Sequence, residues 1–566
     1  MSHSTSSAPT HRSGKHMAEP APRLALLFAA LMMVMLLAAL SQTILSTALP
    51  TMVGELGGVN HMSWVITAYI LASTVMMPVY GRVSDLLGRK PILLGAVLLF
   101  IAGSLIGAAA QTMGLLIAAR VVQGLGGGGL MILSQAAIAD VVPARERGKY
   151  MGIMGAVFAV SSVAGPLLGG WLTEGPGWRW AFIINIPLGI LALIAVSVFL
   201  RIPRPERAKS LHIDYLGMVL LAVATTSLIL VCTWGGQQYD WGSPHIIGLS
   251  LLTVAAAIAF VMTESKVKDP VIPLSLFADR NFTLTTVAGL MVGVVMFGAL
   301  GYMPTYIQMA KGVDATTAGL LMTPMMGSLL VTSILSGQIV SKTGRYKFFP
   351  LIGMVITGLG LWLMSTMTAS DPMWKLCLFI AVFGAGIGLS MQILVLIVQN
   401  SFPNRMVGTA TASSNFFRQV GATVGSAVVG SVFVTRLHDL LAERMPPAAG
   451  SAPVSGNSLT PGLVQGLPDA LRLPVIDSYN DALLPIFLFM VPLTVMALVL
   501  LFFVVEKPLA TQIDREVITP DSDEIAAADR PDPSDAQRHG TDPAVSGPSP
   551  ATLDPESDQE PVSTRR

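Results

Sequence analysis

Polar side chains inside otherwise apolar stretches are the residues of this chain that could do chemistry. An arginine in a membrane span costs at least about 2.5 kcal/mol, so we expect it to face a cavity or a polar partner. Serine and glutamine in such a stretch can line a cavity as neutral hydrogen-bonding groups, or can join neighbouring helices. Together they predict a polar path for a small solute or a proton, formed by Ser41, Gln42, Arg120, Gln123 and Arg418.

Acidic side chains are missing from the middle of these stretches. A proton-coupled carrier needs a group that changes charge in a partly dry site, usually a buried carboxylate. If protons are coupled, Asp85, Asp140 or Glu55 near the ends of the stretches must take that role, or substrate binding must shift the protonation of an unidentified group. Without a buried anion a lipophilic cation has no counter-charge, whereas Arg120 and Arg418 are positive. We therefore expect neutral or anionic amphipathic substrates, although Arg418 could equally serve a structural pairing.

The composition indicates a membrane protein. Of 566 residues 52% are hydrophobic and only 12% are charged, more apolar than a soluble core requires. The net charge of +1 suggests no nucleic acid partner, and two cysteines provide no metal site. The GLGGGG run at 124–129 lies in an apolar stretch without a preceding strand, and no GxxxxGK[ST] loop occurs, so neither nucleotide binding nor ATP-driven work is expected. No paired acids or activated nucleophile indicates an enzyme, and no cofactor is expected.

The apolar stretches predict an all-α membrane protein with fourteen transmembrane helices. A helix needs roughly 20 apolar residues to cross a bilayer, and the stretches are too long for the strands of a barrel. We expect spans at 24–49, 61–80, 91–110, 114–138, 151–172, 180–200, 215–233, 246–263, 284–308, 317–337, 349–368, 374–399, 409–435 and 483–505.

Loop charges predict the orientation and the domain organisation. Alternate loops carry repeated lysine and arginine, whereas the opposite short loops carry only Arg179, Lys311 and Lys375, so both termini are expected in the cytoplasm of a multi-pass plasma-membrane protein. We predict a cytoplasmic N-terminal tail at 1–23, a six-helix bundle at 24–205, two inserted helices at 206–268, a second six-helix bundle at 269–506 with an irregular external loop at 436–482, and a disordered acidic tail at 507–566.

A repeated turn supports the two-bundle organisation. GRVSDLLGRK follows the second span and GQIVSKTGRYK follows the tenth, so Gly81, Gly88 and Arg89 correspond to Gly337, Gly344 and Arg345. Transporters with such repeats place a site near the bilayer midplane between two bundles.

Several motifs resemble the major facilitator superfamily, in particular its fourteen-span drug:proton antiporter branch. The turn with Gly81, Asp85, Gly88, Arg89 and Lys90 resembles its signature loop, and AARVVQGLGGGG resembles its fourth-helix motif. AGPLLGG resembles the fifth-helix motif of its antiporters, and TILSTALP, WRWAFIINIPLG and FRQVGATVG are similar to the same branch. The motif residues of the fifth helix are Gly165, Pro166, Gly169 and Gly170.

The resemblance implies roles for these residues. The signature turn, with Gly344 and Arg345 at the repeat, would lock the two halves on the cytoplasmic side, and Arg120 with Gln123 would handle substrate or protons. The fifth-helix glycines would permit close packing while Pro166 bends the helix. The first-span motif of the family carries an acid where this chain has Ser41.

The sequence therefore predicts a secondary exporter with the major facilitator fold. We expect a monomer that moves amphipathic small molecules out of the cell by alternating access, coupled to inward proton flow, with the bilayer as its surroundings. One alternative is a dedicated exporter of one metabolite or antibiotic. The other is a receptor that kept the fold without transporting.

Overall fold

The computed structural model describes residues 21–56, 61–200, 214–236, 238–444, 464 and 467–511. Among them, fourteen helices are long and apolar enough to cross a membrane, which confirms the predicted number of spans. They are α1 (Leu24–Leu56), α2 (Met62–Leu87), α3 (Arg89–Ala108), α4 (Met113–Val141), α5 (Ala144–Glu174), α6 (Trp180–Phe199), α7 (Tyr215–Trp234), α8 (Pro244–Glu264), α9 (Arg280–Lys311), α10 (Thr317–Thr343), α11 (Phe348–Ser365), α12 (Met373–Ser401), α13 (Asn404–Arg444) and α14 (Ala470–Phe502).

Helix contacts repeat between α1–α6 and α9–α14. In the first set α1 packs against α4, α5 and α6, while α3 packs against α4 and α6, and α2 packs against α4. In the second set α9 packs against α12, α13 and α14, while α11 packs against α12 and α14, and α10 packs against α12. Adding eight to each helix number converts one list into the other. The fold is therefore two six-helix bundles of the same internal arrangement.

Matching glycines in α4 and α12 produce the same close approach in both bundles. A Cβ on Gly124 would lie 2.6 Å from the backbone oxygen of Tyr69 in α2, and a Cβ on Gly384 would lie 2.3 Å from that of Met325 in α10. Real Cβ atoms do not approach backbone this closely, so only glycine lets these helices touch. The stretches 124–143 and 384–403 are thus a second repeat, which the sequence analysis missed.

The inserted helices α7 and α8 form a hairpin beside the bundles. α7 packs against α8, α2 and α13, so it touches one helix of each bundle. Leu251, Val254 and Ile258 of α8 are exposed, as expected for a face turned to lipid. A short 3-10 helix, Leu274–Ala278, follows the hairpin and leads into α9.

One end of the structure holds the turns between α2 and α3, α4 and α5, α10 and α11, and α12 and α13. These turns contain Gly88, Pro143, Gly344 and Pro403. We call this end the basic face, because the repeated lysine and arginine residues of the chain lie in its loops.

The predicted external loop at 436–482 is wrong at both ends. α13 continues to Arg444 and α14 begins at Ala470, because hydropathy falls at the membrane surface whereas a helix can continue into water. Leu437 and Leu441 are buried in the extension, and Arg444 pairs with Asp481 of α14 at 2.6 Å. Residues 445–463 of that loop lie outside the described residues.

The tails differ from the prediction where they are described. The first helix begins at Ala21, within the predicted N-terminal tail, and residues 1–20 lie outside the described part. The first residues of the predicted disordered tail are packed on the basic face. Lys507 pairs with Asp279 at 2.9 Å, and the backbone N–H of Lys507 donates to the hydroxyl of Tyr346 at 2.7 Å. Both the charge and the backbone amide of Lys507 are therefore bonded to the second bundle. Residues 512–566 lie outside the described part.

Candidate functional site

A buried arginine organises the polar residues of the first bundle. Arg120 of α4 is 2% exposed, and its guanidinium lies over the ring of Tyr69, 4.2 Å from the ring centroid. Its Nε donates to the backbone oxygen of Val65 at 3.1 Å, and its Nη1 donates to Oε1 of Gln123. No carboxylate pairs with it among the described residues. Neutral dipoles and an aromatic face therefore hold this charge.

Gln123 connects the arginine to α1, α3 and α6. Its Nε2 donates to Oγ of Ser41 and to Oγ of Ser104, both at 3.0 Å, and Nδ2 of Asn185 donates to Ser41 at 3.3 Å. An amide suits this position because it accepts from a cation at one end and donates to hydroxyls at the other. We call Ser41, Ser104, Arg120, Gln123 and Asn185 the Arg120 cluster.

The structure separates the two polar residues of α1. Ser41 is fully buried in the Arg120 cluster, where it joins helices, whereas the next residue, Gln42, is exposed.

Arg418 belongs to a different cluster, which joins the two bundles. Its Nη2 donates to Oδ1 of Asn415, whose Nδ2 donates to Oε1 of Gln135 in α4 at 3.1 Å. Gln399 of α12 donates to Oγ1 of Thr411 and to the backbone oxygen of Gln135, both at 3.4 Å. We call Gln135, Gln399, Thr411, Asn415 and Arg418 the interbundle amide cluster. Only Arg418 of this set was among the predicted residues.

Asp85 links α2 of the first bundle to α13 of the second at the basic face. Its side chain is 2% exposed and forms an ion pair with Arg89. Oδ2 accepts from the backbone N–H of Thr409 at 2.7 Å and from the Thr409 hydroxyl at 2.5 Å. Arg89 also pairs with Asp140 of α4 through Nε at 3.0 Å. A single buried carboxylate thus ties both bundles together. We call Asp85, Arg89, Asp140 and Thr409 the gate, after the role that the sequence analysis expects for this turn.

Glycines make the gate possible. A Cβ on Gly81 would lie 2.3 Å from the Cβ of Ala412, so α2 and α13 cross in contact. Gly88 has φ of 94° and Gly344 has φ of 75°, which explains why glycine recurs at both turns. Lys90 donates to the backbone oxygen of Ser197 in α6 at 2.6 Å, which is a contact within the first bundle.

The equivalent crossing of α5 and α10 has no buried charge pair. Gly337 and Gly148 touch there, since a Cβ on Gly337 would lie 2.0 Å from the backbone oxygen of Gly148. Ser341 occupies the place of Asp85, and Arg145 donates to its backbone oxygen at 3.3 Å. Arg345, predicted to match Arg89, is exposed instead.

The fifth-helix motif packs α5 against α1. A Cβ on Gly165 would lie 2.0 Å from Oγ1 of Thr43, and one on Gly169 would lie 1.9 Å from Oγ1 of Thr47. A Cβ on Gly170 would meet nothing within 4 Å. Pro166 lies inside the continuous helix α5. Two of the three predicted glycines are therefore required by contact.

Comparisons with known proteins agree with this architecture. A family model described as Major Facilitator Superfamily matches residues 31–426. The chain is 42% identical over 507 residues to an uncharacterized MFS-type transporter of Mycobacterium tuberculosis, covering 89% of this chain and 72% of the relative. It is 36% identical over 474 residues to the multidrug transporter protein MdtP of Bacillus subtilis, covering 81% and 87%. The structure of the human organic anion transporter MFSD10 matches with a TM-score of 0.57 at 15% identity, covering 85% of this chain and 100% of that one.

Proposed function

The chain belongs to the Major Facilitator Superfamily, whose members are transporters rather than enzymes, and from this premise we propose that it exports amphipathic small molecules by alternating access. Transport of drug-like molecules is supported by the relative MdtP, which is named a multidrug transporter and is similar over most of both chains. The coupling ion is the proton and the direction of exchange is antiport.

The gate is the observation that carries this proposal. Alternating access requires a contact between bundles that closes one side and can break. Asp85 provides such a contact, because its partners Arg89 and Thr409 lie in different bundles. We assign the basic face to the cytoplasm, following the distribution of positive charge in the loops. The described conformation is then closed to the cytoplasm, and the solute path opens on the other side.

The Arg120 cluster and Gln42 are the proposed substrate path. An exposed amide facing lipid in mid-span would be unfavourable, so we place Gln42 on the wall of a water-filled cavity. Arg120 lies beneath the ring of Tyr69. A positive group without a carboxylate partner favours neutral or anionic amphipathic solutes over cations. Arg418 would meet the same solute at the cytoplasmic end of the path.

Purified protein in liposomes tests the function. An imposed pH gradient with a pH-sensitive dye inside should report proton movement when a transported anionic or neutral drug is added outside. Arg120→Ala should abolish drug-dependent proton movement, while Arg280→Ala, which removes an exposed arginine at the start of α9, should retain most of it. Drug flux without proton movement would contradict coupling. No flux for any drug of a broad panel would favour a dedicated exporter or a non-transporting receptor.

A further inference from the structure

Two buried carboxylates lie together at the base of the α7–α8 hairpin, outside the Arg120 cluster and the gate. Asp214 directly precedes α7 and is 7% exposed, and Glu264 ends α8 and is 3% exposed. Gly217 leaves room for both, since a Cβ there would lie 2.2 Å from Oδ2 of Asp214 and 3.0 Å from Oε1 of Glu264. The two carboxylates are therefore no more than about 5 Å apart.

Each carboxylate uses one oxygen and leaves the other without a partner. Oδ1 of Asp214 accepts from the backbone N–H of Gly217 at 2.8 Å, and Oε1 of Glu264 accepts from that of Val271 at 3.1 Å. Oδ2 of Asp214 and Oε2 of Glu264 are buried and have no hydrogen-bond partner among the described residues. A buried acceptor without a donor is unfavourable, and two negative charges at this spacing repel each other. One proton between the two carboxylates would relieve both.

The helix ends favour the proton on Glu264. Asp214 caps the N-terminus of α7, where the helix dipole and the Gly217 amide stabilise negative charge. Glu264 lies at the C-terminus of α8, where the dipole opposes negative charge. Two carboxyl groups placed in opposite fields take different protonation states, as in many acid–base pairs.

Within the described residues, no cation forms an ion pair with either carboxylate. Arg82 of α2 acts on Glu264 through its charge, but its Nη2 pairs with Asp269 at 2.7 Å. A cavity of about 730 Å³ borders Glu264 and reaches Asp85 of the gate. The other charged side chains that line this cavity are Arg82, Lys268 and Arg405. It gives Glu264 a route to water at the basic face.

A proton fits this site better than a metal ion. Divalent cations need several oxygen ligands, and no third acidic, histidine or cysteine side chain joins the pair within the described part of the chain. A proton needs only one carboxylate oxygen without a partner, and each of the two side chains has such an oxygen.

We propose that Asp214 and Glu264 form a proton-binding site that is filled and emptied through the cavity beside Asp85. The bound proton lies on Glu264 and donates a hydrogen bond to Asp214. Its loss leaves two adjacent negative charges at the base of the hairpin and beside the segment that carries Asp269. Because α7 packs against α2 and α13, the two helices joined by the gate, proton loss loosens the gate. This last step rests on the proposed function, whereas the binding site does not.

Infrared difference spectroscopy of the purified full chain tests the site directly. The wild type should retain a protonated carboxyl signal well above pH 4, where exposed carboxyl groups have already ionised. Glu264→Gln should remove that signal, and Asp214→Asn should move its midpoint to lower pH, because the neighbouring charge is gone. Gly217→Ala, which places a methyl group against both carboxylates, should shift the midpoint without removing an acid. Glu146→Gln, an exposed acid of the same face, is the matched control and should leave the signal unchanged.

A cysteine reporter tests the link to the gate. In a chain without its native cysteines, Ser413→Cys on α13 is buried behind the gate and should react faster with an impermeant thiol reagent as the pH rises. Glu264→Gln should make that rate slow and independent of pH.

The outcomes separate the site from the function. A carboxyl signal that survives in Glu264→Gln, or that is absent from the folded wild type, overturns the site. A signal that behaves as expected in a wild type with no proton-driven flux supports the site and overturns the proposed function. A pH-dependent reporter rate that persists in Glu264→Gln overturns the link to the gate.

Discussion

Replacing Asp85 by asparagine should open the gate without unfolding the protein. The carboxylate accepts two hydrogen bonds from Thr409 and pairs with Arg89, and bonds to charged groups contribute about 1.5 to 3 kcal/mol each. Asparagine keeps one acceptor oxygen, and Arg89 keeps Asp140 at 3.0 Å. We expect a loss of about 2 to 4 kcal/mol that falls on the closed state alone, because Thr409 belongs to the other bundle. This corresponds to a shift of about 30- to 900-fold toward the open gate.

Thiol labelling in inside-out vesicles measures this shift. Ser413→Cys is the reporter, in a chain whose Cys232 and Cys377 have been replaced by serine. Asp85→Asn should raise the labelling rate by at least tenfold, while Glu146→Gln, which removes an exposed negative charge from the same face, should leave it unchanged. Equal rates in Asp85→Asn and in the unmodified gate would refute the reasoning, provided that both proteins are folded by their thermal unfolding curves.

Three further predictions follow from particular contacts. Gly165→Leu should lower the thermal unfolding temperature and transport, because its side chain would collide with α1, whereas Gly170→Leu has open space and should behave as wild type; equal behaviour would contradict the packing. Gln42→Glu should gain efflux of lipophilic cations in a drug panel and Ser41→Asp should not, because Gln42 is exposed whereas Ser41 is fully buried; a gain from Ser41→Asp alone would contradict this reasoning. The hydrogen bond from Lys375 lowers the pKa of Asp371. The contribution of this ionised carboxylate to stability is therefore complete above about pH 4 and is lost as the pH falls through the lowered pKa. Asp371→Asn should therefore lower the unfolding temperature at pH 7, and by progressively less as the pH falls below about 4. A difference that stays constant as the pH falls would argue against that ionised bond.

The spans and the conformation of the two turns could be predicted because their signals are local. Each span is a continuous apolar run, and lipid removes every alternative to a helix. Gly88 and Gly344 lie at the same point of two similar turns, where a positive φ demands glycine. Asp85 lies three residues before Gly88, and its role between the two halves was implied by the resemblance of this turn to the signature loop of the family. The hydrogen bonds between Asp85 and Thr409 could not be predicted, since no sequence feature near either residue indicates that the two lie together.

The polar clusters could not be predicted as sets, because their members come from distant helices. Ser104 and Asn185 are ordinary polar residues in sequence, and only helix packing brings Ser104 to Gln123 and Asn185 to Ser41. The regular helix of α6 is interrupted after Ile183 and resumes at Asn185. The sequence around this interruption has no helical periodicity that would predict where the side chain of Asn185 points. The match of Arg345 to Arg89 predicted a similar environment for both, but an arginine is equally suited to an exposed loop. A structure was needed to separate the two cases.

The extension of α13 means that a small tilt of this helix produces a large displacement at its far end. With 41 residues this helix is about 60 Å long, roughly twice the thickness of the hydrocarbon layer. One end lies at the gate and the other is clamped to α14 by Arg444 and Asp481. Each degree of tilt about the gate therefore moves Arg444 by about 1 Å. A fluorophore at Arg444 and a second one on the first bundle would therefore allow a small tilt of the helices to be measured as a change in distance by single-molecule fluorescence energy transfer.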